Sequence, residues 1–212
     1  MFPTTRCLTL AIAILSCVFL VQSPATLESP DQLDSYPKLV ERVKAGDHTV
    51  SFMDLRFAYD DYRTNHKVPD VTEQRKAMNK SLNSKDYKTA LGLADKVLAV
   101  NFVDMDAHMV AYAANLELKV KDKAEFHKRV FQGLLQSIVD SGTGKAPETG
   151  WHVIDVHEEY IFLRAMGVVL PQSQSLIRKN GHAYDEIKFK NPKTGELQTV
   201  YFNVDIPASH GL

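Results

Sequence analysis

The sequence predicts an α+β chain, mostly α, in which antiparallel helix pairs precede a small C-terminal antiparallel β meander. Three observations carry this. Apolar residues recur at spacings of three and four from residue 71 to 140 with no proline between them. That stretch contains a repeat at an offset of 34 residues. Past residue 170 the texture changes to turn signals separating short runs, the last of which alternates apolar and polar residues. With 44% hydrophobic and 24% charged residues the 212-residue chain has an ordinary globular composition, which excludes collagen-like, low-complexity and disordered classes. Its 25 Lys+Arg against 26 Asp+Glu leave no basic excess, so no nucleic-acid partner is expected.

The N-terminus reads as a targeting segment. Arg6 precedes an apolar run over residues 7–21, and Gln22-Ser23-Pro24-Ala25 supply the small residues of a cleavage site. The expected organisation is a signal peptide over 1–25, a flexible leader over 26–35, one domain over 36–206 and a tail over 207–212. This implies a periplasmic or secreted protein with no stable membrane insertion after cleavage. Two alternatives stay open: an uncleaved N-terminal anchor, and lipidation of Cys17, although Val18-Phe19-Leu20-Val21 prolongs the apolar run beyond that cysteine. Both cysteines, Cys7 and Cys17, fall inside the segment, so the expected domain has no disulfide, thiolate nucleophile or Cys-ligated metal.

Pro37 suits a first helical turn, Leu39, Val40 and Val43 recur at helical spacing, and Gly46 marks the stop. A second helix starts near Ser51 with Phe52, Leu55, Ala58, Tyr59 and Tyr62 on one stripe, and residues 63–70 read as a loop. Four helices follow, over 71–83, 87–100, 105–118 and 122–139, with Asp104 or Asp106 as cap of the third. Ala77 matches Ala111, Leu82 matches Leu116 and Ala90 matches Ala124 across the 34-residue offset, the period of a tetratricopeptide repeat. Asp86-Tyr87-Lys88-Thr89-Ala90-Leu91 resembles the second helix of that repeat, so the helix pairs are expected to be tetratricopeptide-like. Residues 141–150 form a loop whose GTGK lacks the spacing of a phosphate-binding loop. A helix is expected over 151–166. Asn180-Gly181 and Pro192-Lys193-Thr194-Gly195 then delimit three strands, the last over 197–206 with Val200, Phe202, Val204 and Ile206 on one face.

Several segments together resemble a family of secreted bacterial proteins, domain of unknown function 4919. They are Tyr36-Pro37-Lys38-Leu39-Val40, Ala45-Gly46-Asp47, Asp86-Tyr87-Lys88-Thr89-Ala90, Phe126-His127, Gly133-Leu134-Leu135, Ser137-Ile138, Gly142-Thr143-Gly144-Lys145, Glu158-Glu159-Tyr160, Asn180-Gly181-His182-Ala183-Tyr184-Asp185 and Tyr201-Phe202-Asn203-Val204-Asp205. The resemblance implies an exported bacterial protein with a helical-repeat body and implies no activity.

The densest polar stretch is residues 151–160. On a continuous helix His152, Asp155 and Glu159 would share a face, a donor set suited to a metal or to acid–base work. His157-Glu158 is not the HExxH pair, because Ile161 holds the second histidine's place. Binding candidates are His127, Trp151, His157, Glu158 and Tyr160, with Trp151 expected to close the start of the helix as a staple or to anchor a ligand. No catalytic residue and no cofactor is assigned. The leading expectation is a binding or scaffold module that grips a protein or peptide partner of the cell envelope in a helical-repeat groove. The alternative is a small metal-assisted hydrolase with a His/Asp/Glu site on helix 151–166.

Overall fold

Pro37, whose ring sets a helical φ and whose missing N–H leaves no orphan donor, lies in the first turn of α1 (Tyr36–Lys44). The structure, a computed structural model, describes residues 35–211; the expected signal peptide and nearly all of the leader lie outside them. Ser51 caps α2 (Phe52–Asn65), its hydroxyl accepting from the Asp54 N–H at 3.2 Å. The helix thus runs three residues into the expected loop. Then come α3 (Thr72–Asn83), α4 (Tyr87–Val100), α5 (Met105–Glu117) and α6 (Lys121–Val139). Asp86 and Asp104 cap α4 and α5 by accepting from Thr89 and Ala107.

Short turns join these four helices and each packs on the next, so they form antiparallel hairpins. The repeat is written most clearly in the turns. After α3, Ser84, Lys85 and Asp86 donate to Lys80, Leu82 and Ser81; after α5, Leu118, Lys119 and Val120 donate to Ala114, Leu116 and Asn115, every partner shifted by 34. Lys85 and Lys119 both take a left-handed φ, 63° and 62°. Ala90 and Ala124 are equally buried where paired helices approach. The other two sequence matches do not share an environment: Ala77 is exposed while Ala111 is buried, and Leu82 is partly buried while Leu116 is half exposed. A left-handed lysine carries a Cβ clash that glycine lacks. Lys119→Gly should therefore raise stability by about 1 kcal/mol in urea denaturation.

The region beyond residue 150 departs from expectation in two ways. Trp151 and His152 form a short strand, β1 (Trp151–His152), parallel to the last strand, so the helix expected from 151 starts only at α7 (Val156–Ala165). Asp155 sets this start by accepting from the His157 N–H at 2.8 Å as N-cap. The antiparallel meander is present as β2 (Ser173–Lys179), β3 (His182–Lys190) and β4 (Leu197–Asn203), and β1 extends it to a four-stranded sheet of order β1-β4-β3-β2. Asn180 and Gly181, at φ 52° and 84°, make the two-residue β2–β3 turn. The last strand ends at Asn203, not 206. Val204 leaves the extended region, Asp205 accepts from Ala183, and Pro207 has no N–H for a ladder. The short α8 (Asp205–Ser209) follows, running across the expected domain boundary.

The described residues hold two apolar clusters. The smaller, around Met78, Ala90, Ala94, Val97 and Ala111, binds α3, α4 and α5. The larger joins α1, α2, α6 and α7 to the sheet. Gly133 lets α6 approach α2, since a Cβ there would stand 2.3 Å from the Phe52 ring. Phe202 is fully buried and packs against Trp151 and Phe162. Phe202→Ala should cost about 3–5 kcal/mol in chemical denaturation.

Candidate functional site

Arg56 is fully buried, at i+4 from Phe52 and i−3 from Tyr59 on the apolar stripe of α2. A buried guanidinium requires partners for its donors. It finds both oxygens of Glu158, the Ser137 hydroxyl at 3.2 Å and the His152 carbonyl at 2.9 Å. Glu158 also accepts from the Ile154 N–H at 3.0 Å. One charged knot thus ties α2, α6, β1 and the start of α7 together.

Beside this knot lies a narrow cleft with an interior of about 20 Å³, room for about one water. Tyr59 and Arg63 of α2, Arg75 of α3, Asn101, Val103, Asp104 and Met105, and Ile154, Asp155, His157 and Ile161 line it. Asp104 is the most constrained of these. It caps α5 and pairs with Arg75 at 2.6 Å. Arg63 reaches Asp60 and the Ile154 carbonyl, while its Nη1 stands 3.6 Å from Asp155, beyond hydrogen-bond reach. His157 Nε2 meets Asp106 at 2.7 Å and Arg164 reaches the same carboxylate at 3.0 Å, which couples α5 to α7. Burial works to raise the Asp106 carboxyl, but the His157 hydrogen bond and the charges of His157, Arg164 and Arg75 outweigh it and hold the group below its usual range.

The expected donors of the metal alternative diverge. His152 stands on β1, Asp155 caps α7, and Glu159 points into the protein against the sheet. The shared face required a helix through 152, which strand pairing with Asn203 prevents. Among the described residues no group of three or more His, Cys, Asp or Glu side chains is placed to hold a metal ion.

Glu159 is fully buried beside Asp185 of β3, and Gln174 of β2 donates to both carboxyls. Tyr160 donates its phenol to Gln174 Oε1. Burial first, then the charge of Asp185, pushes the Glu159 carboxyl up to about 9. At neutral pH Glu159 therefore holds its proton, and the protonated carboxyl can donate to Asp185.

Trp151 is not a staple. Its ring packs on Phe162 and Phe202 under Gly144, whose Cβ, if added, would lie 2.4 Å from the indole. The GTGK loop closes on itself, with Thr143 and Gly144 both donating to the Thr149 carbonyl. His127 lies against His108, with 3.0 Å between their Nδ1 atoms. His108 Nε2 faces the Phe102 carbonyl at 2.8 Å, so it carries the proton, and His127 Nδ1–H donates to the bare His108 Nδ1. Burial drives the His108 imidazole down to about 3 and that of His127 below its ordinary value.

Of the sequence candidates, only His157, Glu158 and Asp155 meet at the cleft. Sequence reasoning missed Arg56, Arg63, Arg75 and the Asp106–His157 pair, and also the surface pair His182–Asp205 at 2.6 Å. For Arg56 the signal was present, a cation on an apolar stripe. The others depend on contacts between residues 23 to 91 positions apart. Among the described residues no helix is long and apolar enough to cross a membrane. Comparisons with curated proteins and with solved structures give no match. The family model described as domain of unknown function (DUF4919) matches residues 30–210, and the chain belongs to that family.

Proposed function

We propose that the chain is an exported binding module that holds a protein or peptide partner of the cell envelope, with the cleft between α2, α3, α5 and α7 gripping one acidic side chain of an extended segment. The observation that carries this reading is the pair of arginines at the cleft. Arg63 presents an Nη1 without a hydrogen-bond partner among the described residues, and Arg75, paired with Asp104, lines the same cleft. Tyr59, Val103 and Ile161 give apolar walls, and Asp155 and His157 offer polar contacts to a backbone. The interior holds about one water, so the carboxylate of one anchored residue would be gripped at the mouth. The arginines and their acidic neighbours favour a ligand with both donors and acceptors, as a peptide has. Export rests on the basic, apolar and small-residue pattern of residues 1–25.

The test is selection of peptides from a displayed random library on the immobilised chain, followed by titration into the Arg63→Gln and Arg75→Gln variants. The reading expects enriched peptides to carry an acidic residue and to lose about tenfold or more in affinity for either variant. Peptides whose affinity neither variant changes would overturn it.

A further inference from the structure

The sheet's two edges are treated differently. At one edge β1 is two residues long and lies against α6. At the other β2 is seven residues long, with no proline and no burial on most of its length. Natural edges of that length usually carry a proline, a bulge or an inward charge that deters pairing.

Hydrogen-bond phase shows which groups face outward. Val204 donates to Ala183, so Ala183, Asp185, Ile187 and Phe189 bond to β4, leaving Tyr184, Glu186 and Lys188 for β2. The Lys188 carbonyl faces β2, where it accepts from Gln172, one residue outside the regular register. The β2 partners of those three are Ile177, Ser175 and Ser173. Gln174, Leu176 and Arg178 therefore turn their N–H and C=O groups away from the sheet. This set is symmetric about Leu176, which is 49% exposed on the strand's outer edge.

We propose that β2 is a self-association edge, through which two copies of the chain pair antiparallel about Leu176 into one eight-stranded sheet. In this register Leu176 meets its own copy, Gln174 meets Arg178 and Ser173 meets Lys179. Every outward group finds a partner and no like charges stand opposite. Centring on Arg178 would set guanidinium against guanidinium, and centring on Gln174 would leave half the strand unpaired. Val169 and Leu170, 84% and 81% exposed just before β2, extend the apolar surface at this edge.

Sedimentation equilibrium of the full-length chain tests this, with two variants. Leu176→Lys places like charges at the two-fold axis. Leu176→Pro removes the outward donor while sparing the β2–β3 ladder, which uses the neighbouring residues. The proposal expects a monomer–dimer equilibrium whose dissociation constant rises by about tenfold or more in each variant, with far-UV circular dichroism unchanged. A monomer at every concentration, or a dimer that neither folded variant weakens, would overturn it. So would a monomeric chain whose β2 edge instead binds an added extended peptide.

Discussion

Replacing Arg56 by Met should destabilise the fold by about 3–5 kcal/mol, read from urea denaturation, because it leaves the buried Glu158 carboxylate without its counter-charge. The loss exceeds what the side chain's volume explains, since Met fills much of the same space. Ser137 and the His152 carbonyl would also lose their donor. The double change Arg56→Met with Glu158→Gln should regain part of the loss. It removes the stranded charge and keeps an acceptor for the Ile154 N–H. If the single and double variants were equally unstable, packing at this knot would matter more than charge.

Glu159→Gln should do the opposite and stabilise the protein by up to about 3 kcal/mol at pH 7. The carboxyl lies near 4.5 in the unfolded chain and near 9 in the folded one, raised by burial and by Asp185. Between those values the folded state binds a proton that the unfolded state does not. Stability from this group is complete below about 4.5 and falls as pH rises toward 9. Gln is neutral throughout, fits the same space and can still donate to Asp185. The gain over the parent should therefore vanish near pH 4.5 and grow with pH through the neutral range. A pH series of urea midpoints checks it; a variant less stable than the parent at pH 8 would show that Glu159 is ionised in the fold.

The helical part of the architecture was legible because its information is local. Periodicity located α3 to α6 to within a residue or two, and the 34-residue offset appears in the turns at Lys85 and Lys119. The Asn180-Gly181 signal located the β2–β3 turn. What local pattern could not show was pairing across the chain. Trp151-His152 has enough helical character to read as a helix start, but its backbone is claimed by Phe202 and Asn203 about 50 residues on. That one pairing dispersed the expected His152, Asp155 and Glu159 set. The cleft was half legible: His157, Glu158 and Asp155 stood out as a polar cluster, whereas Arg63 and Arg75 look like ordinary surface cations until α2 and α3 are brought to the start of α7. Gln174 likewise gave no hint that it would bridge two buried carboxyls.

The most direct test of the cleft as a binding site is a map of backbone amide shifts in the isotope-labelled chain during titration with a library-selected acidic peptide. The account predicts that the saturable changes gather at the C-terminal half of α2, residues 101–105 and the first turn of α7, around Arg63 and His157. Saturable changes confined to β2 and its flanks, or scattered with no cluster at Arg63, would contradict it.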